Sequence, residues 1–345
     1  MTKKTKAPTL SEVARKAGVG TTTVSRVING GNRVDPRTLA RVHRAIDALG
    51  YRPNQAARIL KGHRTKTIGL IIPSIADSFF ASCAEAAQAI ARTHDCLLIV
   101  TTTQNDPAAE IESVKVLMQH QTDGLIIAPS DSDNSVLRNV LARAAVPVVA
   151  LDRPLLDSSV PSVVADNFAG ASVATQHLIG HGYKRIACLT GENTLYTIRE
   201  RISGYRQAVQ AAGLPVILDT SITDYRSVEN AIRRLLDSAH PPDAMLTLKN
   251  STTIGAFEVL QSLGVAIPTS VALLGYDDFE LAQTVRPSIT VVRQPIEEIG
   301  RMAAEILFQE LLRPGSRGRP LDRGIAREVP LETTLVRRNS CGCSV

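Results

Sequence analysis

Tryptophan is absent, and phenylalanine and tyrosine together make up only 3% of the 345 residues. A ligand site built mainly by stacking aromatic rings is therefore poorly supplied. Long apolar runs are missing as well: the longest, residues 68–72 and 146–151, stop far short of the ~18 residues a membrane-spanning helix needs. The first residues, Met-Thr-Lys-Lys-Thr-Lys, are basic but lead into polar sequence, without the apolar segment of a secretory signal. A cytoplasmic protein with no membrane contact is expected. Enzyme signatures are missing too. There is no Gly-rich phosphate loop, no G-x-S-x-G and no dinucleotide fingerprint, and Ser, His and Asp fall at no motif spacing. No catalytic residue is assigned. Cysteines are few, and their number, five, is odd. Cys83, Cys96 and Cys188 fall in a predicted helix or strands and read as buried thiols of a reducing compartment. Cys341-Gly342-Cys343 is a C-x-C at a polar terminus, but no His or Cys lies near it in sequence, so neither a metal site nor a cofactor is expected.

What is present is a charge split. Residues 1–66 hold 15 Lys/Arg against 3 Asp/Glu, a net of +12, whereas the remainder carries −6. A basic module preceding an acidic body points to a polyanion-binding head, because Lys and Arg that neutralise phosphates release condensed counterions. A merely solvated basic tail is the alternative, and the pattern inside the module decides between them. Thr9-Leu10-Ser11-Glu12 places a hydroxyl three residues before a carboxylate, which satisfies two free amides at a helix start. Leu10, Val13, Ala14 and Ala17 share one face, and Gly18 ends the helix. A second helix over 21–29, with Val24, Val27 and Ile28 apolar, leaves only Gly18, Val19 and Gly20 for the turn. Two short helices joined so tightly form a helix-turn-helix, whose second helix enters the major groove. Asp35-Pro36 opens a third helix with a capping carboxylate and proline at its first position. Its apolar stripe is Leu39, Val42, Ile46 and Leu49, and Gly50 closes it.

On the second helix Thr21, Thr22, Thr23 and Arg26 are not needed for packing. Arg26 can contact guanine O6 and N7 bidentately, and the threonines suit phosphates or a thymine methyl. Residues 52–66 have no apolar stripe to fold onto. Asn54 can cap a short helix ending at Gly62, which is marginal alone in water. On DNA such a helix would push Leu60 into the minor groove; a plain linker is the equal alternative.

The block Thr9-Leu10-Ser11-Glu12-Val13-Ala14, Gly18-Val19, Thr23-Val24-Ser25-Arg26-Val27-Ile28-Asn29 and Gly50-Tyr51-Arg52-Pro53-Asn54 resembles the headpiece of LacI/GalR-family regulators. The resemblance implies that Thr21, Thr22 and Arg26 read bases, that Asn29 and neighbouring groups hold phosphate, and that Leu60 is a hinge-helix wedge. Thr9, Thr23, Ser25, Asn54, Ala57 and Lys61 complete the DNA-contact candidates. It further implies a homodimer on a pseudo-palindromic double-stranded operator. No leucine heptad follows Leu335, so a tetramer-forming helix is not expected.

From Thr67 onwards short apolar runs at 68–73, 97–100, 125–128, 148–151, 186–189, 245–248 and 271–275 alternate with helix-length segments. Continuous apolar strands between helices indicate parallel sheets covered on both faces, and seven units fit two doubly wound lobes better than one sheet. The fold class expected is α/β, with a small all-α headpiece (1–51), a linker (52–66), a two-lobed core (67–335) and a tail (336–345). The resemblance implies that this core is periplasmic-binding-protein-like, with three crossovers between lobes. Ligands of such sheets lie beyond the C-terminal strand ends.

By the same resemblance Phe79, Phe80, Asp166, Thr197, Arg201, Tyr225 and Asp277 match effector positions, Arg201 and Asp277 within the motifs Arg-x-x-Gly-Tyr and Gly-Tyr-Asp-Asp. Helix-cap core is the alternative reading of Phe79 and Phe80. Where many relatives have Asn-Asp after the strand at 245–248, this chain has Lys249-Asn250. With Arg153 as a second cation, the expectation is an anionic sugar acid such as gluconate or 2-ketogluconate; the chain also resembles the family's 2-ketogluconate-responsive regulators. A neutral sugar or nucleobase, and a Lys249 that points to solvent, are the alternatives. The function implied is a repressor of sugar-acid catabolism released from DNA by its effector. Corepression is the opposite direction, and a transporter's solute-binding protein or a sugar kinase are the other classes weighed.

Overall fold

The computed structural model describes residues 8–28, 34–52, 64–156, 158–191, 194–313 and 328–344. They form two units, Met1–Thr65 and Lys66–Val345.

In the first unit, α1 (Leu10–Ala17), α2 (Thr21–Ile28) and α3 (Pro36–Leu49) pack around Val13, Val24 and Val42, all fully buried. Such side chains each stabilise by about 1.5–3 kcal/mol. Thr9 and Glu12 form the reciprocal cap at the start of α1, and the Asp35 carboxylate accepts from Thr38 N at 3.1 Å at the start of α3. Gly18 and Gly50 end their helices at φ +64° and +60°, where a side chain would be strained. One detail departs from the sequence reading. Leu39 is 40% exposed, and Ala45 takes its place in the buried stripe, because the contact face of α3 is centred on Val42.

The second unit holds two six-stranded sheets. In lobe 1 the order is β2 (Leu97–Thr102), β1 (Thr67–Ile72), β3 (Gly124–Ile127), β4 (Val148–Leu151), β5 (Ser162–Ala165) and β11 (Glu328–Leu331), all parallel. Ile68, Leu70 and Ile72 pack on one face beneath α4 (Ser78–Thr93) and α11 (Ile296–Leu312). Ile71, Leu125 and Ile127 pack on the other, beneath α5 (Pro107–Gln119) and α6 (Ser135–Arg143). This two-sided burial is why these strands read as unbroken apolar runs.

Lobe 2 repeats the pattern as β7 (Ile217–Asp219), β6 (Ile186–Leu189), β8 (Ala244–Thr247), β9 (Ala272–Tyr276), β10 (Thr290–Arg293) and β12 (Thr334–Val336), of which only β12 is antiparallel. The helices α7 (Asn167–Gly180) and α8 (Tyr196–Ala211) cover one face, and α9 (Tyr225–Leu236) and α10 (Asn250–Ser262) the other. The chain crosses between lobes three times, from β5 to α7, from β10 to α11 and from β11 to β12. Strands β5, β7, β10, β11 and β12 were not read from the sequence. They are three or four residues long, and most carry polar ends. No helix among the described residues is long and apolar enough to cross a membrane.

Candidate functional site

In the head, the three-residue turn sets α2 against α1: Val19 N donates to Ala14 O at 3.1 Å, and Val24 and Val27 face the core. Thr21, Thr22 and Arg26 are thereby exposed on the opposite face, with Thr23 and Ser25 half-buried at its margin. Thr9 is engaged locally, its hydroxyl donating to Glu12 Oε2 at 3.0 Å. Asn29, Asn54, Ala57, Leu60 and Lys61 lie outside the described residues.

In the second unit, a cleft of about 1080 Å³ opens between the lobes at the C-terminal strand ends. Phe79, Phe80, Arg153, Thr197, Arg201, Tyr225, Lys249, Asn250 and Asp277 all line it. Asp166 does not. Its carboxylate accepts from Ala169 N at 2.9 Å as the cap of α7, and its own N–H donates to Leu331 O where two crossovers meet. The adjacent Asn167 serves the cleft instead, accepting from Arg201 Nε at 2.7 Å.

Each lobe delivers an aspartate in the same way. Asp152 follows β4 at φ +66° and donates its N–H to Val163 O on β5; Asp277 follows β9 at φ +70° and donates to Val292 O on β10. The left-handed backbone is uncommon outside glycine, and aspartate is among the side chains that tolerate it. Both aspartates are paired with buried arginines. Arg153 Nε donates to Asp152 Oδ2 at 3.1 Å, and its Nη1 to Asn105 Oδ1 at 2.7 Å and Pro129 O at 3.1 Å. Arg201 Nη1 donates to Asp277 Oδ2 at 3.2 Å and to Leu248 O at 2.7 Å. Burial pushes the Asp152 carboxyl up, and the Arg153 guanidinium pulls against it. Asp278 lines the cleft beneath Arg338 and Arg293. Burial would raise its carboxyl, but hydrogen bonds from the two guanidinium groups outweigh it and hold it below the ordinary carboxylate range.

Phe79 and Phe80 are 8% and 5% exposed and meet edge to face, with centroids 5.0 Å apart. They belong to the lobe 1 core and also line the cleft. Lys249 is exposed at the start of α10, and Asn250 Oδ1 accepts from Ser251 N. Ser130, in the loop after β3, also lines the cleft, as do Asn105 and Gln294, which were not anticipated. Asn105 stands after β2, a strand end that could have been searched, whereas Gln294 follows β10, which was not recognised as a strand.

The residues 65–329 match the model of the periplasmic binding proteins and sugar binding domain of the LacI family, and residues 9–54 that of the bacterial regulatory proteins of the lacI family. The chain belongs to the LacI family. It is 32% identical over 310 residues to the ribose operon repressor of Escherichia coli K12, covering 89% of this chain and 94% of that one. Among solved structures, the CelR–cellobiose complex of a transcriptional regulator superposes with a TM-score of 0.70 at 33% identity, covering 96% and 99% of the two chains. The lac repressor dimer bound to operator and the anti-inducer ONPF superposes with a TM-score of 0.86 at 25% identity, covering 97% and 99%. The protein is thus a DNA-binding LacI-family repressor and not an enzyme.

The cysteines divide. Cys83 and Cys188 are buried in α4 and β6, where burial pushes both thiols up; Cys96 is partly exposed just before β2. The C-x-C pair is not without partners, contrary to the sequence expectation. The fold brings His177 and His181 to Cys341 and Cys343 across more than 160 residues of chain.

Proposed function

We propose that the protein is an operator-binding homodimer whose cleft takes a small, neutral, hydroxyl-rich sugar and which leaves its DNA when that sugar binds. The observation that carries the sugar class is the closure of the cleft's two buried guanidinium groups by Asp152 and Asp277. Six carboxylates line the cleft against three cations, Arg153, Arg201 and Lys249. With Arg153 and Arg201 closed in this way and Asp278 held by Arg293 and Arg338, a sugar acid would find only the exposed Lys249 as a lining cation without an ion-pair partner among the described residues. Neighbouring sugar hydroxyls suit paired acceptors and guanidinium donors. Gln294 Oε1 and Thr190 Oγ1 are buried there without a hydrogen-bond partner among the described residues and offer further sites. The names of the relatives agree, one a ribose operon repressor and one solved with cellobiose.

On the DNA side, Thr21, Thr22 and Arg26 on the exposed face of α2 read base edges in the major groove. Coupling between cleft and head needs only ~1–3 kcal/mol, a change of about 5–150-fold in operator affinity. Calorimetric titration of ribose, cellobiose, gluconate and 2-ketogluconate into the full chain tests the sugar class; heat from the sugar acids alone would sink it. A gel shift in the presence of the bound sugar tests the direction, and a tighter operator complex means corepression.

A further inference from the structure

On lobe 2, away from the cleft, the last turn of α7 faces the C-terminal residues. His177 and His181 are four apart, one helical turn, and so project from the same face. The tail is held opposite them by its own backbone. Ser340 N donates to Ser288 O at 2.9 Å, Leu273 N donates to Ser340 O at 2.9 Å, and Arg338 N donates to Thr290 Oγ1 at 2.8 Å. Gly342 turns the C-x-C at φ +95°, and a Cβ there would lie 3.0 Å from Tyr183 Oη. Cys341 and Cys343 consequently present both sulfurs to the histidines.

His177 Nε2 lies 3.3 Å from Cys341 Sγ and 3.5 Å from Cys343 Sγ, and His181 Nε2 lies 3.3 Å from Cys343 Sγ. All four ligand atoms fall within 4.8 Å of one another. In a tetrahedral zinc site with bonds of about 2.0–2.1 Å to nitrogen and 2.3 Å to sulfur, each nitrogen–sulfur edge is roughly 3.6 Å. Three nitrogen–sulfur edges are thus already near that length, and the remaining separations, none above 4.8 Å, close to it by small side-chain rotations. Thiols are weak hydrogen-bond donors, and mutual bonding alone is a poor reason for two sulfurs and two imidazoles to converge.

We propose that His177, His181, Cys341 and Cys343 bind one thiophilic divalent cation, zinc by the chemistry of the donor set. Two imidazoles bind neutral and two thiols each release a proton to solvent, so the dication and two thiolates make a neutral site. Four protein ligands leave no open position, which makes the ion a structural clasp and not a catalyst. An outer partner is in place: Thr290 Oγ1 donates to Cys341 Sγ at 3.0 Å, a bond that favours the thiolate. His181 is exposed and Cys343 partly so, which leaves a path for the ion, while Cys341 is fully buried against the lobe 2 core. The clasp ties α7, the first element after a crossover, to the tail whose Arg338 grips Asp278 in the cleft lining. It is independent of the sugar reading.

The test uses the full chain, purified under reducing conditions and incubated with zinc, then desalted. About one zinc per chain is expected by elemental analysis. Cobalt substitution should give the visible bands of a tetrahedral ion and thiolate charge-transfer bands in the near ultraviolet. Chelation should lower the melting temperature. His181→Ala and Cys343→Ser alter accessible positions, so circular dichroism should show both folded, and both should lose the cobalt bands. The proposal is overturned if the reduced chain stays metal-free, if cobalt shows only octahedral bands, or if both variants keep the metal. A Cys341–Cys343 disulfide whose reduced form takes up no zinc overturns it equally.

Discussion

The guanidinium carbon of Arg201 lies 3.7 Å from the centre of the Tyr276 ring, so the cation of α8 is stacked on the last residue of β9. Stacked on one side and bonded at its edge to Asn167, Leu248 and Asp277, the guanidinium joins three segments of lobe 2 at the floor of the cleft. Desolvated cation–ring contacts are worth about 2 kcal/mol, and the planar fork suits such multiple bonding as no ammonium does.

Replacing Arg201 should therefore cost both stability and response. Arg201→Ala leaves the partly buried Asp277 carboxylate with Gln294 Nε2 as its remaining side-chain donor and strips two further acceptors of theirs, and should destabilise the second unit by about 3 kcal/mol in urea unfolding. Arg201→Lys keeps the charge but cannot reach all three partners, so it should unfold at intermediate urea. It should also stay on operator DNA at sugar concentrations that release the wild type. Wild-type stability in the alanine variant would refute the structural role.

Tyr205, four residues further along α8, has no access to the cleft and acts through hydrogen bonds. Its hydroxyl accepts from Ile217 N at 2.9 Å and lies 2.8 Å and 3.0 Å from the carbonyls of Ile186 and Ile217, pinning the edge strand β7 to β6. Tyr205→Phe leaves those buried groups short of a partner, at about 1–3 kcal/mol. A lowered melting temperature with unchanged sugar affinity is the expected pair of results; a loss of affinity at equal stability would contradict it.

These residues show what was legible in the sequence. Arg-x-x-Gly-Tyr was visible as a motif, and each member has a separate cause. Arg201 floors the cleft, Tyr205 fastens β7, and at Gly204 a Cβ would sit 2.2 Å from Phe168 O, so α7 and α8 touch backbone to backbone. The head was legible almost to the residue because caps, turn glycines and an N1 proline are local signals. The pairing of the cleft's charges was only half legible, for a tertiary reason. Arg153 beside Asp152 is a pair visible in sequence, but Arg201 and Asp277 are 76 residues apart and meet only in the fold. The histidines that face Cys341 and Cys343 were hidden in the same way, since nothing in α7's own pattern marks them as ligands.

Arg26 projects from the face of α2 opposite Val24 and Val27. If it reads guanine, Arg26→Ala should weaken operator binding by about 1–3 kcal/mol and relax preference at one base pair of each half-site. A phosphate-only role would weaken all sequences alike and reduce the salt dependence. Binding assays on an operator and on single-base variants, at two salt concentrations, distinguish the two.

Glu110 supplies a test by pH. It is fully buried in α5, with Ser130 N donating to Oε1 at 2.8 Å and Ser130 Oγ to Oε2 at 3.0 Å. Burial pushes its carboxyl above the ordinary range, and the two serine bonds only partly offset that. The folded chain therefore holds this proton more tightly than the unfolded chain. The stabilisation that follows is complete below the ordinary carboxylate range and is lost as pH rises through the raised folded value. Glutamine keeps an acceptor for Ser130 N and an amide for the serine hydroxyl, and does not titrate. Glu110→Gln should accordingly match the wild type in acid and become progressively more stable than it towards neutral and alkaline pH. Urea midpoints measured across that range check the sign: a difference independent of pH, or one that shrinks as pH rises, would mean that Glu110 is held as a well-compensated carboxylate.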